Sequence, residues 1–168
     1  MKKFVISTSS FDLDNNPAIQ RLLQNGFQAI TNPHRRKLTE DEIIELLNGE
    51  VVGLIAGIEP LTERVFQSAS PLKVISRCGA GMDSVDLAAA QKHGIAVLNT
   101  PEAPAQAVAE LTMGYILTLL RQINQIDQAV RKGEWPRTQG RLLAAQTVGI
   151  IGMGHIGRRV ARLCQAFE

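Results

Sequence analysis

"TVGIIGMGHIGRRVA" (147–161) decides how this chain is read. A short apolar run with β-branched residues predicts a strand over 147–152, and the residues after Gly154 have helical character. Between them Gly152, Gly154 and Gly157 fill the pattern G-x-G-x-x-G. The first glycine permits a tight turn, the second lets the backbone approach a pyrophosphate, and the third brings helix and strand close together. A diphosphate would sit on the free N–H groups at the helix N-terminus, where the helix dipole also favours an anion. The alternative is a tight helix–strand joint without a ligand. His155 either turns a ring N–H toward phosphate or is an exposed residue of the helix start. The acid that reads a ribose hydroxyl in such folds follows the motif by about 20 residues, beyond residue 168, so the motif does not tell NAD from NADP.

Outward from this corner, toward the N-terminus, apolar β-branched runs alternate with helical periods. Strands are predicted over 3–7, 27–31, 51–57, 72–76 and 95–99, and helices over 17–26, 39–49, 62–69 and 86–94. Pro17 stands in the first turn of one helix, and Thr39 with Glu42 forms a capping box at the start of another. "VVGLIAG" (51–57) is apolar throughout, as expected of a strand covered on both faces. Such alternation predicts an α/β fold with a flavodoxin-like, doubly wound parallel sheet over residues 1–100. Residues 101–168 then hold a long helix and the first βα unit of a Rossmann domain.

From Pro104 to Gly133 only Gly114 interrupts helix-forming residues, which predicts one helix over about 104–132. Val108, Leu111, Tyr115, Leu119 and Ile123 recur at helical spacing, and Ile116, Leu117 and Leu120 widen the stripe. So broad an apolar surface needs a cover.

The composition is that of a globular protein: 168 residues, 45% hydrophobic and 20% charged. A net charge of +2 does not argue for nucleic acid or an anionic membrane. No stretch approaches the ~18 apolar residues of a membrane span. The apolar run after Lys3 is too short for a signal peptide, so a cytoplasmic location is expected. Cys78 and Cys164 stand far apart without metal-type spacing, and no metal site is expected.

"ISRCGAGMDSVDLAAAQKHGIAVLNTP" (75–101) holds a second Gly-rich bend. After a predicted strand, Arg77, Cys78, Gly79, Ala80 and Gly81 turn sharply, and either form an anion nest of backbone N–H groups or serve only the loop. Asp86 can cap the following helix, and Asp83 can accept from loop amides.

The motifs "SRCGAGMDSVDLAAA" (76–90), "GIAVLNTP" (94–101), "AVAELTMGYILTLLR" (107–121), "GEW" (133–135) and "TVGIIGMGHIGRRVA" follow in order. In this order and spacing they resemble the NAD-dependent D-2-hydroxyacid dehydrogenases, especially the D-3-phosphoglycerate dehydrogenase branch. "NPHRRKLTEDEIIELL" (32–47) is similar to the same branch. The resemblance covers most of the chain.

It implies a substrate domain over 1–100 whose loop 77–81 offers backbone N–H groups to the carboxylate of a small 2-hydroxy or 2-oxo acid. Arg77, Cys78, Gly79 and Ala80 would line that substrate, with Ala80 also near the nicotinamide. Gly152, Gly154, His155, Ile156 and Gly157 would hold the cofactor. Asn99, Thr100 and Pro101 would form a hinge, and the helix over 104–132 with the Trp135 loop a homodimer interface.

The family's catalytic arginine, glutamate and histidine fall later in its nucleotide domain, so no catalytic residue is expected here. The expectation is an N-terminal piece of a longer protein, inactive by itself. The local candidates point elsewhere: His34 to a solvated loop, His93 to a helix C-terminus, Glu110 to a packing or hinge hydrogen bond, and Arg77 to substrate positioning or structure. The rivals are a non-catalytic dimerisation or regulatory module, and a dehydrogenase of formate or phosphite type.

Overall fold

The computed structural model describes residues 2–9, 11 and 13–167. By its contacts the chain divides into two compact units, one up to Thr100 and one from Pro101 onward.

The first unit follows from its strand periods. Strands β1 (Lys3–Ile6), β2 (Gln28–Thr31), β3 (Val51–Ala56), β4 (Val74–Arg77) and β5 (Ala96–Asn99) form one sheet in the order β2-β1-β3-β4-β5, all parallel. This is the flavodoxin-like order. Helix α1 (Pro17–Gln24) starts on Asn16, whose side chain accepts from Ala18 and Ile19 N–H. Helix α2 (Glu40–Leu46) carries the expected capping box, with Thr39 Oγ1 accepting from Glu42 N–H and Glu42 Oε2 from Thr39 N–H. Helices α3 (Glu63–Ser68) and α4 (Leu87–Lys92) complete the crossovers, and Asp86 caps α4 by accepting from Ala89 N–H at 2.9 Å.

Right-handed crossovers fix which face each helix covers. From β1 to β2 the chain steps one way across the sheet; from β2 through β3 and β4 to β5 it steps the other way. Helix α1 therefore lies on one face and α2, α3 and α4 on the opposite one. The larger core joins Val5, Leu54 and Ile75 to Ile43, Leu47, Val65, Phe66 and Ala90, all essentially buried. Each large apolar side chain sealed there contributes ~1.5–3 kcal/mol. Phe4, Ile6 and Ile19 form a smaller core under α1.

Strand β3 is buried or half-buried along its whole length, as expected of 51–57, but the two strands beyond it are covered on one face only. On the α1 side, Val74, Ser76, Ala96 and Leu98 of β4 and β5 are exposed. A hollow of about 1010 Å³ opens there, bounded by Phe4, Ile19, Leu22, Val52 and Val74. The reason is topological: one crossover supplies one helix, and one helix does not span five strands.

The second unit packs helix α5 (Ala105–Arg121) on the last helix, α7 (His155–Gln165), with helix α6 (Ile123–Arg131) between them in the chain. Two expectations fail in this unit. The single helix over 104–132 is broken at Gln122, which takes left-handed backbone angles (φ 55°, ψ 35°). The cause is a returning segment: Arg141 N–H donates to Leu120 O at 2.8 Å. Gly140 packs so close that a Cβ there would lie 3.0 Å from the same oxygen. The carbonyl that would continue the helix is thereby taken.

The predicted strand 147–152 is not formed either. Residues 148–150 run without ladder partners among the described residues, flanked by hollows of about 370 and 410 Å³. A strand exists through its neighbours' hydrogen bonds.

Ile116, Leu117 and Leu120 pack with Ala109, Met113, Leu143 and Val160 into this unit's core, where Cys164 Sγ meets Met113 Sδ at 3.6 Å. Leu111, Tyr115 and Leu119 remain exposed, at 54%, 62% and 76%. The apolar surface of α5 is thus divided between a covered face and a bare one. No helix among the described residues is long and apolar enough to cross a membrane.

Candidate functional site

The bend 77–81 leaves the carboxyl end of β4, the edge at which open α/β sheets bind ligands. Its first amides are used internally. Cys78 N–H continues the sheet by donating to Ala56 O at 2.8 Å. Gly79 N–H is shared between Arg77 O at 3.0 Å and Thr100 Oγ1 at 3.1 Å. Thr100 N–H returns a bond to Gly79 O, and Asn99 Nδ2 donates to Ala80 O at 2.9 Å. The bend is therefore tied both to β3 and to the end of β5. The N–H groups of Ala80 and Gly81 have no protein acceptor among the described residues, and neither residue is buried.

Arg77 lies beneath this bend, 8% exposed. One terminal nitrogen donates to Cys78 O, while Nε is buried without a partner among the described residues. A buried guanidinium with an unmet donor is costly and attracts an anion. Gly79 (φ 138°) is the residue that admits it, since a Cβ there would fall 2.6 Å from Arg77 Nη1. Cys78 is an exposed free thiol.

The turn 152–157 opens α7. Gly152 has φ 95°, and a Cβ on Gly157 would stand 2.0 Å from Gly152 O, so the third glycine is sterically required. A Cβ on Gly154 would meet nothing within 4 Å. The turn therefore leaves open space at its second glycine. No side chain caps α7 and no acid stands in its first turn, so the His155, Ile156 and Gly157 amides lack a side-chain acceptor among the described residues. The His155 ring points to Glu102, with Nδ1 3.6 Å from Oε1. An open second glycine with uncapped amides beside it fits a dinucleotide diphosphate.

A parallel sheet, a Gly-rich bend after β4 and a G-x-G-x-x-G turn occur in this chain in the order of one known enzyme family. The model of the D-isomer specific 2-hydroxyacid dehydrogenase catalytic domain matches residues 5–161. The chain belongs to this family. It is 36% identical over 169 residues to D-3-phosphoglycerate dehydrogenase of Rattus norvegicus, covering 99% of this chain and 30% of the rat enzyme. Among solved structures, the TT0316 protein from Thermus thermophilus superposes with a TM-score of 0.85 at 31% identity, over 98% of this chain and 53% of that one. An NAD+-bound 3-phosphoglycerate dehydrogenase from Entamoeba histolytica superposes with a TM-score of 0.79 at 26% identity, over 99% and 51%. The chain spans about 30% of the rat enzyme and about half of these two structures.

The other titratable candidates of this 2-hydroxyacid dehydrogenase chain sit in local structure. His93 Nε2 and Lys92 Nζ both reach Glu63 Oε1, at 3.0 and 2.9 Å. The Lys92 bond, then those from His93 and Gln67, hold the Glu63 carboxyl down to about 2. Arg36 grips Glu42 with two bonds, at 2.6 and 2.8 Å, and together with Thr39 N–H lowers that carboxyl to about 2. His34 lies 3.7 Å from Glu42. Glu110 accepts from Gln106 at 2.7 Å on the exposed side of α5.

Sequence reasoning passed over Glu59, which is 1% exposed at the carboxyl end of β3. Its signal is "AGIEP" (56–60), an acid set directly after a buried apolar strand.

Proposed function

We propose that this chain is the substrate-binding and cofactor-entry part of an NAD-dependent oxidoreductase. The enzyme would move a hydride between nicotinamide and C2 of a small D-2-hydroxy or 2-oxo acid. Ala80 and Gly81 N–H receive the acid's carboxylate, while the Cys78 and Gly79 amides hold the bend in shape. Arg77 supplies the positive field beneath it, and Ala80 also borders the nicotinamide end of the cofactor. Gly152, Gly154 and Gly157 shape the diphosphate turn, and the His155 and Ile156 amides donate to it. The nicotinamide, when bound, carries the hydride; the chain's own residues bind and orient.

The observation that carries this reading is the contrast within the glycine motif. Gly157 is required by the chain's own packing, whereas a Cβ at Gly154 meets nothing within 4 Å among the described residues. The NAD+-bound relative supports NAD as the cofactor, and NADP stays open in this reading.

The bare stripe Leu111, Tyr115 and Leu119 supports a homodimer through α5, joined by the loop at Trp135, which is 82% exposed. Two unpaired cysteines support a reducing cytoplasm as the location. With 30% of the rat enzyme's length covered, turnover is assigned to the whole protein and not to this chain alone.

The test is NADH oxidation with a panel of 2-oxo acids. The full-length protein is expected to turn over at least one of them, and the purified 168-residue chain none. Absence of turnover by the full-length protein across the panel would contradict the reading, as would steady turnover by the chain alone.

A further inference from the structure

In the sheet order β2-β1-β3-β4-β5 the chain reverses direction between β1 and β3. That switch point is where doubly wound sheets hold ligands, outside the carboxyl ends of the strands. A cavity of about 280 Å³ lies there, lined among others by Ser7 and Thr8 after β1, Gly57 and Glu59 after β3, Lys37, and Arg77 at the end of β4. Arg77 thus joins it to the acid-reading bend.

The donors expected to greet an anion at this point are a hydroxyl and a backbone amide. Both are already engaged. The Ser7 hydroxyl donates to Glu59 Oε1, and Gly57 N–H donates to the same oxygen at 3.0 Å. The Glu59 carboxyl is therefore placed where a ligand's anion would go. Arg36, the next cation on the rim, is held by both oxygens of Glu42.

We infer that Glu59 is the specificity-determining residue of the substrate site proposed above. It selects acids whose far end is neutral, such as a hydroxymethyl group, and rejects those whose far end is a phosphate. A phosphate entering the cavity meets Lys37 on the rim and Arg77 on the side of the bend, but finds the Ser7 and Gly57 donors taken and a buried carboxyl in their place. A hydroxyl can donate to that carboxyl and accept from Lys37. The inference rests on the acid-binding reading of the bend, and it separates this chain from the phosphoglycerate enzymes that it resembles.

The test titrates the 168-residue chain with D-glycerate and with 3-phospho-D-glycerate, following the Gly57, Ala80 and Gly81 amides by NMR. The two acids differ only in the phosphate. Wild type is expected to bind D-glycerate at least about tenfold more tightly. Glu59→Gln keeps the shape and an acceptor but removes the charge, and should narrow that preference to about threefold or less. Equal affinities in wild type, or tighter binding of the phosphorylated acid, would overturn the inference while shifts at Ala80 and Gly81 kept the acid site standing. An unchanged preference in a folded Glu59→Gln would also overturn it. If that variant does not fold, the wild-type ratio alone decides. Silence of Ala80 and Gly81 toward both acids defeats the acid site, and this inference with it.

Discussion

Single residues carry the site through what they leave out. A Cβ at Gly157 would overlap Gly152 O, and one at Gly79 would strike Arg77. Gly157→Ala is therefore expected to lower stability by about 1–3 kcal/mol, read as a fall in the urea midpoint. Gly154→Ala, into open space, should change it by less than about 0.5 kcal/mol. Equal losses at the two positions would contradict the division of roles between them. The glycine spacing was legible in the sequence because each glycine answers a local backbone demand. Which amides of the bend 77–81 remain free was not. Cys78 and Gly79 are taken by Ala56 and Thr100, more than twenty positions away in the chain, and no local pattern encodes those partners.

Elements were legible where their ends are local and illegible where a distant segment decides. The capping box at Thr39 and the cap at Asp86 sit within four residues of the amides that they satisfy. The break at Gln122 depends on Gly140 and Arg141, and nothing at 120–124 announces it. Gln122 adopts a left-handed conformation that costs a side-chain-bearing residue about 1 kcal/mol. Gln122→Gly should recover about that much in chemical unfolding, and a loss of stability would show that its side chain holds the break. Two carboxyls also tie elements together. Glu63 links α3 to Lys92 and His93 at the end of α4, and Glu42 anchors α2 to Arg36. Both carboxyls are held down to about 2 from an ordinary 4.5. A depressed folded value stabilises above the unfolded one, so the benefit is complete above pH 4.5 and is lost as pH falls toward 2. Thermal melts across that window should show a steeper acid decline for wild type than for Glu63→Gln; identical profiles would contradict the pairing.

At the scale of the molecule, the sheet order follows from alternating strands and helices joined by right-handed crossovers, and so was readable in advance. Coverage of the sheet was not, because it depends on which way each crossover steps, and apolar runs such as 51–57 do not report it. The second unit shows the same limit. Residues 147–152 carry a strand's composition, yet a strand requires neighbours, and among the described residues 148–150 have none. The proposed function asks different chemistry of each unit: the first would offer amides to an acid at the bend 77–81, and the second would offer amides to a diphosphate at the turn 152–157. The most direct measurement is calorimetric titration of NAD into the full-length protein, wild type against Gly154→Val. The expected result is saturable binding by wild type and an affinity at least about tenfold weaker in the variant, a change of about 1.4 kcal/mol, with an unchanged melting temperature. Equal NAD affinity in the two proteins, or none in the wild type, would contradict a dinucleotide site at this turn.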